Sequence, residues 1–217
     1  RPLLVPCRRR AGEGYMSTQP MLEVRNLVKH FAVSRGAFGS SKVHNKAVDG
    51  VSFQVYEGET LGLVGESGCG KSTVGRLVLR LLEPTSGEVL INGKNLYQLG
   101  AEELRAMRRD MQIVFQDPYS SLNPRLPIVD LISEPLTTHQ SLSKKEKEDV
   151  VAKLMNRVGL RPSYMNRYPH QFSGGQRQRI GIARALSINP KLVICDEPVS
   201  ALDVSVRSQV LNLLSDL

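Results

Sequence analysis

The sequence of 217 residues has no tryptophan, three cysteines and 5% aromatic residues. No uncharged apolar run approaches the roughly 18 residues that cross a bilayer. Cys7, Cys69 and Cys195 lie far apart and form no CxxC pair or Cys/His cluster, which speaks against a disulfide scaffold or a thiolate metal site and fits a reducing compartment. His30, His44, His139 and His170 are equally scattered and show no ligand spacing. Few aromatics and dispersed basic residues leave neither a stacking platform nor a basic stripe, so no nucleic-acid partner is expected. Internal repeats and low-complexity segments are also lacking. Hydrophobic residues make up 41% and charged residues 23%, near the averages of globular domains. Lys and Arg number 29 against 21 Asp and Glu, a net charge of +8. Arg1, Arg8, Arg9 and Arg10 place part of that charge in residues 1–20, which read as a disordered, solvated extension ahead of a plausible start at Met16.

Hydrophobic periodicity orders the rest. Residues 21–64 alternate short apolar segments with turn signals and predict strands, among them VSFQV at 51–55 and the run 61–64. After glycines 65, 68 and 70, the stretch 72–82 sets Val74, Leu77, Val78, Leu81 and Leu82 at helical spacing, and Pro84 stops it. EVLING at 88–93 reads as a strand closed by an Asn-Gly turn, and MQIVF at 111–115 as another. A Pro/Ser/Asn-rich loop and two helical patterns, 129–136 and 143–158, suggest a helical subdomain inserted at about 117–172. KKEKED at 144–149 reads as the solvated face of the second helix. A third helix over 174–188 leads to KLVIC at 191–195, a continuous apolar strand of the kind buried on both faces. Strands alternating with helices predict an α/β fold with a parallel sheet over one domain, 21–217.

Three groups of residues carry chemistry. GESGCGKST (Gly65, Ser67, Gly68, Cys69, Gly70, Lys71, Ser72, Thr73) fits G-x-x-x-x-G-K-[ST] between an apolar strand and an amphipathic helix. Glycines let successive amides face one concavity, the helix start adds its positive end, Lys71 reaches the β and γ phosphates, and Ser72 holds Mg²⁺. In KLVICDEP the strand delivers Asp196 and Glu197 to its carboxyl end, where open α/β sheets bind ligands. Asp196 suits Mg²⁺, directly or through water, and Glu197 suits activation of an attacking water. FSGGQRQR opens a helix with Ser173, Gly174, Gly175 and Gln176, a second anion-receiving start. One nucleotide rarely needs both from one chain, so the second is expected to serve the nucleotide of a neighbouring subunit in a head-to-tail pair.

These motifs, with Gln116 in VFQDP and SALD at 200–203, resemble the ATP-binding subunits of ABC transporters from about residue 21 to 217. The resemblance implies a P-loop ABC ATPase core with a parallel sheet, an N-terminal antiparallel β subdomain and the inserted helical subdomain. It makes GESGCGKST the ATP-binding loop, FSGGQ the signature, with Phe172 where leucine is commonest, CDEP the Mg²⁺ and catalytic strand end, and Gln116 a sensor touching Mg²⁺ or water. YPHQFSGGQRQRIGIARAL and DEPVSALDVSVRSQVLNLL look like the dipeptide/oligopeptide importer branch. There an aromatic stacks on adenine; Phe31 is the best match, ahead of Tyr56 and His30, with a plain core residue as the alternative. The resemblance implies a second ATP-binding subunit, identical or related, two transmembrane permease subunits, an extracytoplasmic solute-binding protein acting indirectly, and a peripheral place at the cytoplasmic face of the cell membrane. The family pattern continues past Leu217 with another core strand and a histidine, so this chain is expected to be a piece of a longer product. Peptides, nickel complexes and glutathione stay open as cargo. The rival readings are a soluble ABC ATPase acting on nucleic acid or the ribosome, mildly favoured by the charge but disfavoured by the single cassette, and a catalytically silent partner subunit, disfavoured by Glu197.

Overall fold

The computed structural model describes residues 3–7, 19–34, 42–200, 202 and 204–215. Arg1, Arg8, Arg9, Arg10 and Met16 of the extension, residues 35–41 of the loop before KAVDG, and Ala201 and Asp203 of SALD lie outside the described residues. The chain divides into two compact units, Arg1–Leu104 and Arg105–Leu217.

The first unit holds β1 (Leu3–Cys7), β2 (Leu22–Ser34), β3 (Lys42–Val55), β4 (Thr60–Val64), α1 (Lys71–Val78), β5 (Ser86–Ile91) and β6 (Lys94–Asn95). An antiparallel sheet runs in the order β3-β2-β5-β6, built on the long β2/β3 hairpin. Val24, Leu27, Val74, Leu77, Val89 and Leu96 are buried in this unit. Residues 3–7, expected to be part of a disordered extension, instead form β1, antiparallel to β4 with Leu3 opposite Val64 and Cys7 opposite Thr60. The physical reason lies in β4: its edge amides and carbonyls need partners, and a short extended segment supplies them.

α1 ends at Val78 rather than at residue 82. Arg80 takes a left-handed φ of +49°, so its N–H turns back to Leu77 O at 2.8 Å and that of Leu81 to Arg76 O at 2.8 Å, consuming the last carbonyls of the helix. The Arg80 guanidinium then donates to Leu96 O and Leu99 O, pinning the turn. The expected Asn-Gly turn is present, Asn92 at φ +49° and Gly93 at φ +78° joining β5 to β6.

The chain continues through α2 (Ala101–Asp110), β7 (Met111–Val114), α3 (Ile128–His139), α4 (Lys144–Arg157), α5 (Gly174–Leu186), β8 (Leu192–Cys195) and α6 (Val204–Ser215). The sequence reading did not anticipate α2 or α6. α2 buries no side chain fully; its apolar face is Leu104 and Met107, both only half-buried, a short signal among six charged residues. β7 and β8 pair in parallel, Met111 opposite Leu192 through Val114 opposite Cys195. One expectation for KLVIC fails: Leu192 is buried, but Cys195 is exposed, because β7 is the sole ladder partner of β8 among the described residues.

α3, α4 and α5 pack around Ile128, Ile132, Val151, Met155 and Ile180, each removed from solvent. α4 begins with a capping box, the Ser143 hydroxyl accepting from the Glu146 amide and the Glu146 carboxylate from the Ser143 amide. Its Lys147 pairs with Asp130 of α3. Truncating a fully buried isoleucine removes its transfer free energy and leaves a cavity. Ile180→Ala should therefore cost about 2–5 kcal/mol, seen as a lower denaturant midpoint at unchanged slope.

Candidate functional site

In the first unit, β4 ends at Val64 and α1 begins at Lys71, and the six residues between form a loop with Gly68 at φ +81° and Gly70 at φ +100°. A Cβ on Gly70 would lie 2.1 Å from the carbonyl oxygen of Ala47 in β3. Only glycine fits both the dihedral and the close approach. The Cys69 amide donates to Glu66 O and the Val74 amide to Gly70 O, closing the loop onto the helix start. Lys71 Nζ folds back and donates to Gly65 O and Glu66 O, 3.0 Å each, so the ammonium sits at the loop's mouth. The cap residue, Gly70, offers no side-chain acceptor to the first turn of α1, where Ser72 and Thr73 lie half-buried; Ser67, in the loop before it, is exposed. The helix start thus meets an incoming anion with dipoles and a cation already oriented.

Phe31 lies on β2 opposite Asn45, on the same hairpin whose Ala47 carbonyl abuts Gly70. Its ring is 37% exposed, with Lys29 Nζ 5.1 Å from its centroid. It is therefore not a buried core residue. Tyr56 and His30 are tied into the sheet's own polar contacts, the Tyr56 hydroxyl donating to Gln54 at 3.1 Å and the His30 amide to Thr85 Oγ1 at 2.9 Å.

In the second unit the Asp196 amide donates to Val114 O, extending the β7/β8 ladder by one bond past the strand end. The next residue, Glu197, has φ +44°, a conformation costing about 1–3 kcal/mol for a non-glycine residue. The Ser200 amide and hydroxyl both donate to Glu197 O, at 3.1 and 3.0 Å, and hold it there. The Gln116 amide nitrogen donates to Glu197 Oε2 at 2.8 Å. Sequence reasoning gave these two residues separate roles, and the structure joins them. Beside them the Tyr119 amide and then the Ser120 hydroxyl hold the Asp117 carboxyl below the usual range for aspartate.

The second helix start is capped in the opposite manner. Ser173 Oγ accepts from the Gln176 amide at 3.3 Å, and Gln176 Oε1 accepts from the Ser173 amide at 3.0 Å, with Gly174 and Gly175 between them. A hydroxyl that accepts one bond still carries a proton to donate, and Ser173 is exposed. Sequence reasoning missed Gln178, 2% exposed, whose amide donates to Phe115 O at 3.4 Å. A polar residue between Ile180 and the glycines on the apolar face of α5 was the available signal.

Among the described residues no group of three or more His, Cys, Asp or Glu could hold a metal by itself. Gly70→Ala should distort the loop, lowering the thermal midpoint by the equivalent of about 1 kcal/mol or more and weakening Mg-ATP binding in calorimetry.

A family model described as ABC transporter matches residues 48–200. The oligopeptide transport ATP-binding protein AppF of Bacillus subtilis is 54% identical over 200 residues, 92% of this chain and 61% of its own length. The glutathione import ATP-binding protein GsiA of Escherichia coli O157:H7 is 55% identical over 199 residues, 92% of this chain and 32% of its own length. The chain thus spans less than two thirds of either relative. A solved dimeric ATP-binding cassette in a post-hydrolysis state bound to ADP and Pi superposes with a TM-score of 0.78 at 31% identity, covering 91% of this chain and 82% of its own.

Proposed function

The chain belongs to the ABC transporter family, and on that premise we propose that it is the nucleotide-binding part of an ATP-hydrolysing subunit that energises import of peptides or related small solutes. The observation that carries the reading is the loop at Gly70, packed so closely on the Ala47 carbonyl that only glycine fits, with Lys71 Nζ folded back onto Gly65 O and Glu66 O. The cargo is left between peptides and glutathione, because AppF and GsiA are almost equally similar to this chain. Specificity then resides in other subunits.

In this reading the loop amides and Lys71 bind the triphosphate, and the exposed ring of Phe31 supplies a face for the adenine. Ser72, Gln116 and Asp196 hold Mg²⁺, which screens phosphate charge when bound. Glu197, oriented by its bond from Gln116, accepts the proton of the attacking water. Ser173 and the glycines after it approach the nucleotide of a second ATP-binding subunit, so ATP is sealed between two copies or two related chains. That dimeric arrangement is supported by the dimeric structural relative. Catalysis here is positioning and charge stabilisation, which is why strained and fixed groups serve it. Closure and reopening of the pair would move two transmembrane permease subunits fed by an extracytoplasmic binding protein. No helix among the described residues is long and apolar enough to cross a membrane, in keeping with a peripheral subunit at the cytoplasmic face.

In the full-length protein, Lys71→Ala should abolish ATP binding by calorimetry. Glu197→Gln should bind ATP normally, lose about 10²–10⁴-fold in turnover and accumulate as a dimer in sedimentation. Parental ATP affinity in Lys71→Ala would remove the assignment of the loop.

A further inference from the structure

The segment around Gln116, residues 115–121, is fastened to one helix at three points. The Arg184 guanidinium of α5 donates to Ser121 O at 2.8 Å, the buried Gln178 amide to Phe115 O at 3.4 Å, and the Arg177 guanidinium lies 4.2 Å from the centroid of the Tyr119 ring. Arg177 also donates to Pro169 O and Phe172 O, at 2.8 and 3.0 Å, and so grips the residues just ahead of Ser173. Tyr119 reaches over the helix start itself, where a Cβ on Gly174 would meet its hydroxyl at 3.5 Å. Yet Tyr119 is 61% exposed. Its ring is kept on α5 by the Arg177 cation rather than by burial in a core.

We propose that Tyr119 is a positioning residue that clamps the Gln116 segment to the start of α5, so that Gln116 bonded to Glu197 fixes the orientation of the Ser173 turn. The proposal rests on the ATPase reading for its consequence but not for its geometry. A guanidinium over an aromatic face and two side-chain bonds to backbone carbonyls make, with the Gln116–Glu197 bond, one continuous linkage from Glu197 to Ser173. When the Gln116–Glu197 bond of 2.8 Å is made, the clamp leaves the helix start one position. When it breaks, segment and helix start move together. Each half of a paired site would in this way report the state of its own Glu197 through the turn it lends to its neighbour.

The test uses the full-length protein with Tyr119→Ala, Tyr119→Phe, Gln116→Ala and the Tyr119→Ala/Gln116→Ala double variant, read by ATP turnover and by amide hydrogen exchange at the Ser173 turn. Tyr119→Ala should lower kcat by about tenfold or more through misplacement of that turn, with KM for ATP within about twofold of the parent, since the nucleotide loop is untouched. Tyr119→Phe should keep parental kcat, because the ring, not the hydroxyl, is what Arg177 faces. Gln116→Ala should speed exchange at the Ser173 turn, and adding Tyr119→Ala should speed it no further. Unchanged exchange at that turn in Gln116→Ala, a loss in Tyr119→Phe equal to that in Tyr119→Ala, or multiplicative losses in the double variant would each overturn the clamp. A parent protein that fails to bind Mg-ATP while the exchange pattern appears as described would sink the ATPase reading and leave the clamp standing.

Discussion

The leading amides of a helix have no partners inside the helix, and something must accept from them. The starts of α1 and α5 meet that demand in opposite ways. α5 is capped from within, Ser173 and Gln176 exchanging bonds with each other's amides. α1 begins at a glycine that has no side chain to offer, and the backbone of β3 lies so close that none could be accommodated. The turn that supplies its own acceptors is fit to be presented whole to another molecule, while the turn built on Gly70 is fit to receive an anion. In the proposed reading, the division of labour between binding loop and lid thus begins with one hydrogen-bonding constraint.

The proposed catalytic end of the second unit shows what such a site costs. Glu197 occupies a left-handed conformation that its side chain disfavours, and it stays there because Ser200 donates twice to its carbonyl and Gln116 once to its carboxylate. The strain is offset by hydrogen bonds whose donors come from the loops that follow β7 and β8. A carboxylate so held points one way, as a base that must meet a water at a set position requires. The buried contacts of α3, α4 and α5 supply the stability against which this is drawn.

Much of this was legible in the residues. The order of strand, glycine loop and helix around Lys71, the apolar strand leading to Asp196, and the Ser-Gly-Gly opening of α5 all rest on local rules of periodicity and turn chemistry, which act over a few residues and leave their mark in sequence. The same holds for the capping boxes at Ser143 and Ser173. Other features left little mark. α2 shows only the half-buried Leu104 and Met107 among its charges, and residues 3–7 became a strand because a distant edge at β4 needed partners. α1 stops four residues early because Arg80 finds the carbonyls of Leu96 and Leu99.

What the sequence by itself determined is therefore the chemistry on offer: which residue types stand at the loop, at the strand end and at the second helix start, and the family they mark. Tertiary structure alone decided which of them meet. Gln116 and Glu197 are 81 positions apart in the chain and hydrogen-bonded in space, and Tyr119 finds Arg177 only because α5 packs beside the segment that carries it. Ala47 makes Gly70 obligatory across a gap that no local pattern encodes. The physical reason is the same in each case. Periodicity and turn propensity act between neighbours in sequence, whereas a close approach or a shared hydrogen bond depends on how packed elements bring distant backbone together.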